Sequence, residues 1–162
     1  AKDVVSHVRV EQLKRIAHEF KSAEHIFVIG KGLSYTTALE SALKIKEISY
    51  IHAEGVAAGE LKHGPLALIT KGVPCIVFAP NDQHYQSTLA NAMEMKARGG
   101  YIIGVSHKND EVFDEFIPVS DVAEATIIPN VIVAQLLAYY LTLERGFDPD
   151  MPRNLAKSVT VK

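Results

Sequence analysis

The chain has 162 residues, and its 17 basic and 19 acidic side chains leave a net charge of −2 with 48% of positions apolar. That length suits one domain with a full hydrophobic core, and the two signs of charge are interspersed, which excludes the basic stripe that a nucleic-acid backbone requires. The lone cysteine, Cys75 in the apolar run PCIVFAP, excludes an internal disulfide and reads as a small buried hydrophobe in a reducing, cytoplasmic compartment.

Residues 1–21 are charged and amphipathic rather than apolar, which is not the pattern of a signal peptide. A start at Ala1 that leads straight into a helix reads as a piece excised from something longer. Val10, Leu13, Ile16, Ala17 and Phe20 recur at helical spacing, so an amphipathic helix is expected over 8–22, covering one face of a sheet. A short buried strand at 26–29 then breaks at Gly30 and Gly32 into a second helix.

That turn, GKGLSYT, is the place to look for phosphate recognition. Gly30 and Gly32 begin a dinucleotide fingerprint, but Tyr35 stands where its last glycine belongs and no Walker-type lysine follows. What remains is Ser34, Thr36 and Thr37 near a helix N-terminus, able either to cap the helix or to hold a phosphate.

The second helix, from 38 onward, places Glu40, Lys44, Glu47 and Ile51 on one narrow face at about 100° per residue. Ala38, Ala42, Ile45 and Ser49, with Leu39 and Leu43, form its predicted buried stripe. Beyond it a loop containing Gly55, Gly59, Gly64 and the helix-stopping Pro65 could carry the imidazole of His63 back toward Glu47.

Further short apolar runs at 51–54, 75–79, 101–105 and 116–119 alternate with helical or polar segments, including a helix at 85–98. Strand and helix in alternation specify a parallel sheet with helices on both faces, a three-layer α/β/α sandwich of five strands. Ligands gather at the carboxyl edge of such sheets, where Gly30, Glu54, Pro80 and Ser106 are expected. The stretch 127–143 is nearly all apolar, but Pro129, Asn130, Gln135 and Thr142 interrupt it, short of the ~20 apolar residues a membrane span needs. It reads as a helix needing cover on more than one side, and no membrane partner is expected. The tail from Met151 has no helical period.

Proton transfer between adjacent sugar carbons needs a carboxylate or imidazole within hydrogen-bond reach. Glu47 and His63 are of the right type, although either also fits a solvated ion pair or a packed loop histidine. His52, Glu54 and His63 could be imagined as a two-histidine, one-carboxylate set, but their spacing matches no zinc pattern, so neither metal nor cofactor is expected. A lysine such as Lys157 can form a Schiff base with a ketose if its pKa is lowered.

Three segments carry more specific information: KEISYIHAE (46–54), GELKHGPLALI (59–69) and PRNLAKSVTV (152–161). Through them, and from about residue 26 to the end, the chain resembles the C-terminal sugar-isomerase (SIS) domain of the glucosamine-6-phosphate synthases, the glutamine:fructose-6-phosphate amidotransferases. The resemblance implies a single flavodoxin-like SIS domain over 1–162, with an N-terminal helix and an ordered, functional tail from about 151 to 162. It implies Glu47 as the isomerase base, His63 as a ring-opening group supplied across a subunit interface, and Lys157 as the amine that holds the open-chain sugar phosphate. Lys44, Arg153 and Ala156 would assist substrate binding.

It implies further a cytoplasmic homodimer acting on fructose 6-phosphate, of which the glutaminase domain and the first SIS domain lie outside this sequence. The chain departs from the family's pattern of SIS phosphate loops: FAPNDQHYQST puts Asn81 and Asp82 where hydroxyls would grip a phosphate, so weak substrate binding is expected of this chain alone. A free-standing SIS sugar-phosphate isomerase, or a non-catalytic sugar-phosphate-binding or dimerisation module, is the alternative.

Overall fold

The computed structural model describes residues 6–155. Five strands, β1 (His25–Gly30), β2 (His52–Ala57), β3 (Pro74–Ala79), β4 (Tyr101–Ser106) and β5 (Glu115–Pro118), pair in parallel in the order β2-β1-β3-β4-β5. The chain steps outward from β1 to β2, then returns past β1 to build the other side, so the direction of winding reverses between β1 and β3. Strand composition explains the burial. In β1, Ile26 and Val28 face one core while Phe27 and Ile29 face the other, and β3 divides Ile76 and Phe78 from Cys75 and Val77 in the same way.

Three of the four helices, α1 (His7–Phe20), α2 (Leu33–Ser49) and α4 (Ile127–Glu144), cover one face through residues such as Leu13, Ile16, Ile45, Leu137 and Leu141. On the other face α3 (Tyr85–Lys96) is joined by two 3-10 turns, Ala58–His63 and Pro65–Leu68, and packs through Leu89, Ala92, Met95, Leu61 and Leu66. The expected three-layer α/β/α sandwich is therefore the fold.

The seating of α2 decides where its side chains point. A Cβ added at Gly30 would lie 2.1 Å from the Ser34 carbonyl oxygen, and one at Gly55 would lie 2.8 Å from that of Ala38. The helix thus rests on bare strand backbone. Its buried side is made of small residues, Ala38, Ser41, Ala42 and Ser49, with Ile45. Leu39 and Leu43, expected in that stripe, are instead exposed at 44% and 42%, because the close approach narrows the contact to the residues directly beneath the helix axis.

Two boundaries also differ from expectation. α2 ends at Ser49 with Tyr50 in the left-handed region (φ 59°), so Ile51 leaves the helical face and is buried. β2 runs on to Ala57, paired along its length from His25↔His52 to Gly30↔Ala57, which puts Glu54 inside the strand rather than at the carboxyl edge. A 3-10 turn, Ala123–Thr126, feeds directly into α4, so the helical run Ala123–Glu144 has 22 residues and is long and apolar enough to cross a membrane by length and composition. Half of it is buried, and α4 packs against α1 and α2 over the sheet. Pro129 falls in its first turn, where the missing N–H breaks no helical hydrogen bond.

Candidate functional site

The helical period of α2 brings two acids and an amine together as its spacing requires. The Lys44 ammonium donates to Glu47 Oε2 at 2.7 Å and lies 3.6 Å from Glu40 Oε1. The hydrogen bond to Glu47, aided by the charges of Glu47 and Glu40, raises the Lys44 pKa above the usual lysine range against a smaller opposing effect of burial. Glu47 is 29% exposed, so its carboxylate is fixed by a partner yet open to a reactant.

The tail arrives at this same end of the helix. The backbone N–H of Arg153 donates to the Tyr50 hydroxyl at 2.9 Å, and the Arg153 guanidinium stacks 4.0 Å from the centre of the Tyr50 ring. Phe147 meets the same ring edge-on. A shallow groove results, lined by Lys46, Glu47, Tyr50, Arg153, Asn154 and Leu155. Of the sequence candidates, Lys44, Glu47 and Arg153 are therefore brought into one neighbourhood. Ala156 and Lys157 lie outside the described residues. Tyr50, which sequence reasoning missed, is the anchor; its signal was an aromatic residue placed at the helix end within KEISYIHAE.

His63 goes elsewhere. The loop after β2 is not an excursion back to α2 but two successive 3-10 turns across the other face of the sheet, and the exposed His63 imidazole pairs with Glu60 through Nδ1 at 2.8 Å. Within one chain it does not reach Glu47. The imagined His52, Glu54 and His63 set is also separated: His52 opens β2 and His63 follows its far end, so a strand about 16 Å long lies between them at ~3.3 Å per residue. His52 pairs instead with His25, Nδ1 to Nδ1 at 3.1 Å.

A second concavity sits at the carboxyl edge, where β1 and β3 diverge. It has a volume of about 190 Å³ and is bounded by the start of α2, the segment after β3, and the turn into α4. Ser34 is buried in its wall. The capping reading of Ser34, Thr36 and Thr37 is corrected here. Gly32 (φ 57°, ψ −129°) occupies the N-cap, in a conformation that favours glycine, and no side chain among the described residues caps the helix. The Thr36 hydroxyl donates back to the Leu33 carbonyl at 2.6 Å, and Thr37 is buried. Asn81 donates to Asp121, whose pKa that hydrogen bond lowers, and Asp82 receives the His84 N–H. Asp82 and Glu124 both line the cavity, so the wall is acidic where a phosphate site would be basic.

Comparison with known proteins fits this architecture. The SIS domain family matches residues 19–145. A glutamine-fructose-6-phosphate aminotransferase (isomerizing) of Methanothermobacter thermautotrophicus is 48% identical over 156 residues, which is 93% of this chain and 26% of that protein. The chain thus spans about a quarter of the length of the curated relatives it matches. The solved C-terminal domain of glucosamine-fructose-6-phosphate aminotransferase from Francisella tularensis superposes with a TM-score of 0.78 at 37% identity, covering 86% of this chain and 41% of that one. Tagatose-6-phosphate ketose/aldose isomerase from Escherichia coli shares the fold at a TM-score of 0.73 and 19% identity, over 94% of this chain and 48% of that one. The parallel 2-1-3-4-5 sheet, the helix seated on its glycines and the family match over most of the length lead to one conclusion: this chain belongs to the SIS domain family.

Proposed function

We propose that this chain is the second isomerase half of a glucosamine-6-phosphate synthase, converting fructose 6-phosphate and glutamine-derived ammonia to glucosamine 6-phosphate within a longer enzyme. The observation that carries this reading is the docking of Arg153 on Tyr50 beside Glu47. Lys157 follows Leu155 by two residues, a reach of at most about 7 Å of chain, and Leu155 already lines the Glu47 groove.

In this reading Lys157 forms an imine at C2 of the open-chain ketose, and ammonia then replaces the lysine. Glu47 takes a proton from C1 and returns it to C2, so the C=N bond is traded for a carbonyl at C1 and an amine at C2. Lys44 holds Glu47 in place and Arg153 holds the tail. The chemistry calls for no cofactor. The phosphate grip comes from the sister SIS domain, in keeping with the acidic wall around Ser34. His63, exposed and paired with Glu60 among the described residues, serves ring opening in the neighbouring subunit of a homodimer. A cytoplasmic location accords with the single buried thiol, Cys75.

The test uses the full-length enzyme. Glu47→Gln should lower isomerisation by about 10² to 10⁴ while the lysine imine remains trappable by borohydride, and Lys157→Arg should abolish trapping with the fold intact. Near wild-type activity of Glu47→Gln would leave Glu47 as a solvated ion-pair partner and overturn the assignment.

A further inference from the structure

At the amino edge of the sheet, opposite the edge that bears Ser34, two imidazoles stand in contact. His25 opens β1 and His52 opens β2, and the parallel register sets them directly across from one another. Residues so paired project from the same face of neighbouring strands about 4.8 Å apart, so the backbone alone brings the rings together. Their Nδ1 atoms lie 3.1 Å apart, with the ring planes at 85°. Both side chains are exposed, and the Glu47 groove uses neither.

A hydrogen bond joins the rings when one Nδ1 carries a proton and the other accepts it. An exposed bond of that kind adds little to stability, and it leaves the pair able to exchange the shared proton for a cation. Two nitrogens 3.1 Å apart, each ~2.0–2.1 Å from one ion, subtend about 100° at it. That angle lies between the ~90° of square or octahedral coordination and the ~109° of tetrahedral, which makes the pair a chelating bite. Neutral imidazole suits zinc, copper and nickel, whereas magnesium and calcium take oxygen ligands. The hollow beside His25 is lined by the carboxylates of Glu19 and Glu24, with the Lys71 ammonium as the opposing charge, a balance that favours a cation. Among the described residues no cluster of three or more histidine, cysteine or acidic side chains is placed to hold a metal, so water supplies the remaining positions and the ion stays exchangeable.

We propose that His25 and His52 form a two-imidazole site for a zinc-class divalent cation, a clip across the outer strand of the sheet. β2 stands at the end of the strand order and β1 beside it, so an ion held by both rings ties the first residue of the edge strand to the interior. The site takes no part in the sugar chemistry and does not depend on the isomerase reading.

Zinc chloride titrated into the 162-residue chain is followed through the ¹⁵N signals of the histidine rings, those of His25 and His52 being assigned by their loss in His25→Asn and His52→Asn. Both Nδ1 signals should shift along one saturating curve, and magnesium chloride should move neither. Either substitution should weaken zinc binding at the remaining ring roughly tenfold or more, because the second ligand no longer adds to the first. Zinc should raise the Tm of the wild type and of His63→Asn alike, but not of His25→Asn or His52→Asn, since only the intact pair ties two strands together. Both positions are exposed, and each variant tests the pair independently should the other not fold. Absence of a saturating shift at the two Nδ1 atoms would overturn the proposal. Separate curves for the two rings, or undiminished affinity at one ring after loss of the other, would also overturn it and leave only adventitious binding at single histidines, as is open to His18 or His63.

Discussion

Tyr50 carries more than its place at the end of a helix would suggest. It holds a left-handed conformation, receives the Arg153 N–H, and lies under the Arg153 guanidinium. Tyr50→Phe keeps the ring and loses one hydrogen bond, so stability should fall by about 0.5–1.5 kcal/mol. Tyr50→Ala removes the platform altogether, and in the full-length enzyme borohydride trapping should fall much further than with Tyr50→Phe. Equal trapping in the two variants would show that the ring does not position the tail. Cys75 behaves oppositely: burial, with the nearby Asp114 charge adding, pushes its thiol up to about 12. A thiol reagent at neutral pH should label it only at the rate of unfolding; rapid labelling of the folded chain would contradict this.

At the scale of elements, the glycines beneath α2 make a sharper prediction than any core residue. Gly30→Ala sets a methyl against a backbone carbonyl that cannot swing aside and should cost about 3 kcal/mol in denaturant unfolding, whereas Leu39→Ala and Leu43→Ala should stay within about 0.5 kcal/mol. This contrast also shows how far the residues alone could be read. The Glu40, Lys44 and Glu47 face was legible because helical period fixes it, and the strands were legible because apolar runs alternate with helices. The burial of Leu39 and Leu43 was misread because a hydrophobic stripe weighs size, while a helix seated on glycine buries what is small. The path of His63 was not legible, since nothing in GELKHGP distinguishes a returning loop from two 3-10 turns. Asn130 was visible as a polar break in an apolar run, but its burial without a hydrogen-bond partner among the described residues appears only once α4 is packed.

Between α1 and α4, the His18 ring and then Lys21 hold Glu144 and depress its pKa below the usual glutamate range. A depressed carboxylate contributes stability above its unfolded pKa and loses it as pH falls through the folded value. Glu144→Gln should therefore melt slightly below wild type at neutral pH, with the two curves converging below pH ~4. A gap that persists in acid would assign the effect to packing.

For the whole molecule, the described surface divides labour unevenly. Leu39 and Leu43 on α2, and Ile128, Tyr139 and Leu143 on α4, are exposed apolar side chains, and the chain spans about a quarter of its curated relatives. Titrated with fructose 6-phosphate, the 162-residue chain should bind far more weakly than the full-length enzyme, because its sheet-edge wall is acidic; equal affinity would move the phosphate grip into this domain. Mixing full-length Glu47→Gln with full-length His63→Ala should restore part of the activity that each variant lacks, as sites shared between subunits require. No recovery after confirmed subunit exchange would return His63 to its own chain.

The contact of α2 with Gly30 and Gly55 has a mechanical side. Core side chains act as a compliant layer, and a mutation among them lets a helix settle by fractions of an ångström. Beneath α2 there is no such layer at those two points: carbonyl meets strand backbone at a spacing set by atomic radii. The helix that carries Glu47 at one end and a wall of the carboxyl-edge cavity at the other is a hard-mounted rail. Drift and repacking elsewhere in the core should leave its height above the sheet unchanged, and hydrostatic pressure should compress the α1 and α4 side before it moves the Glu47 groove.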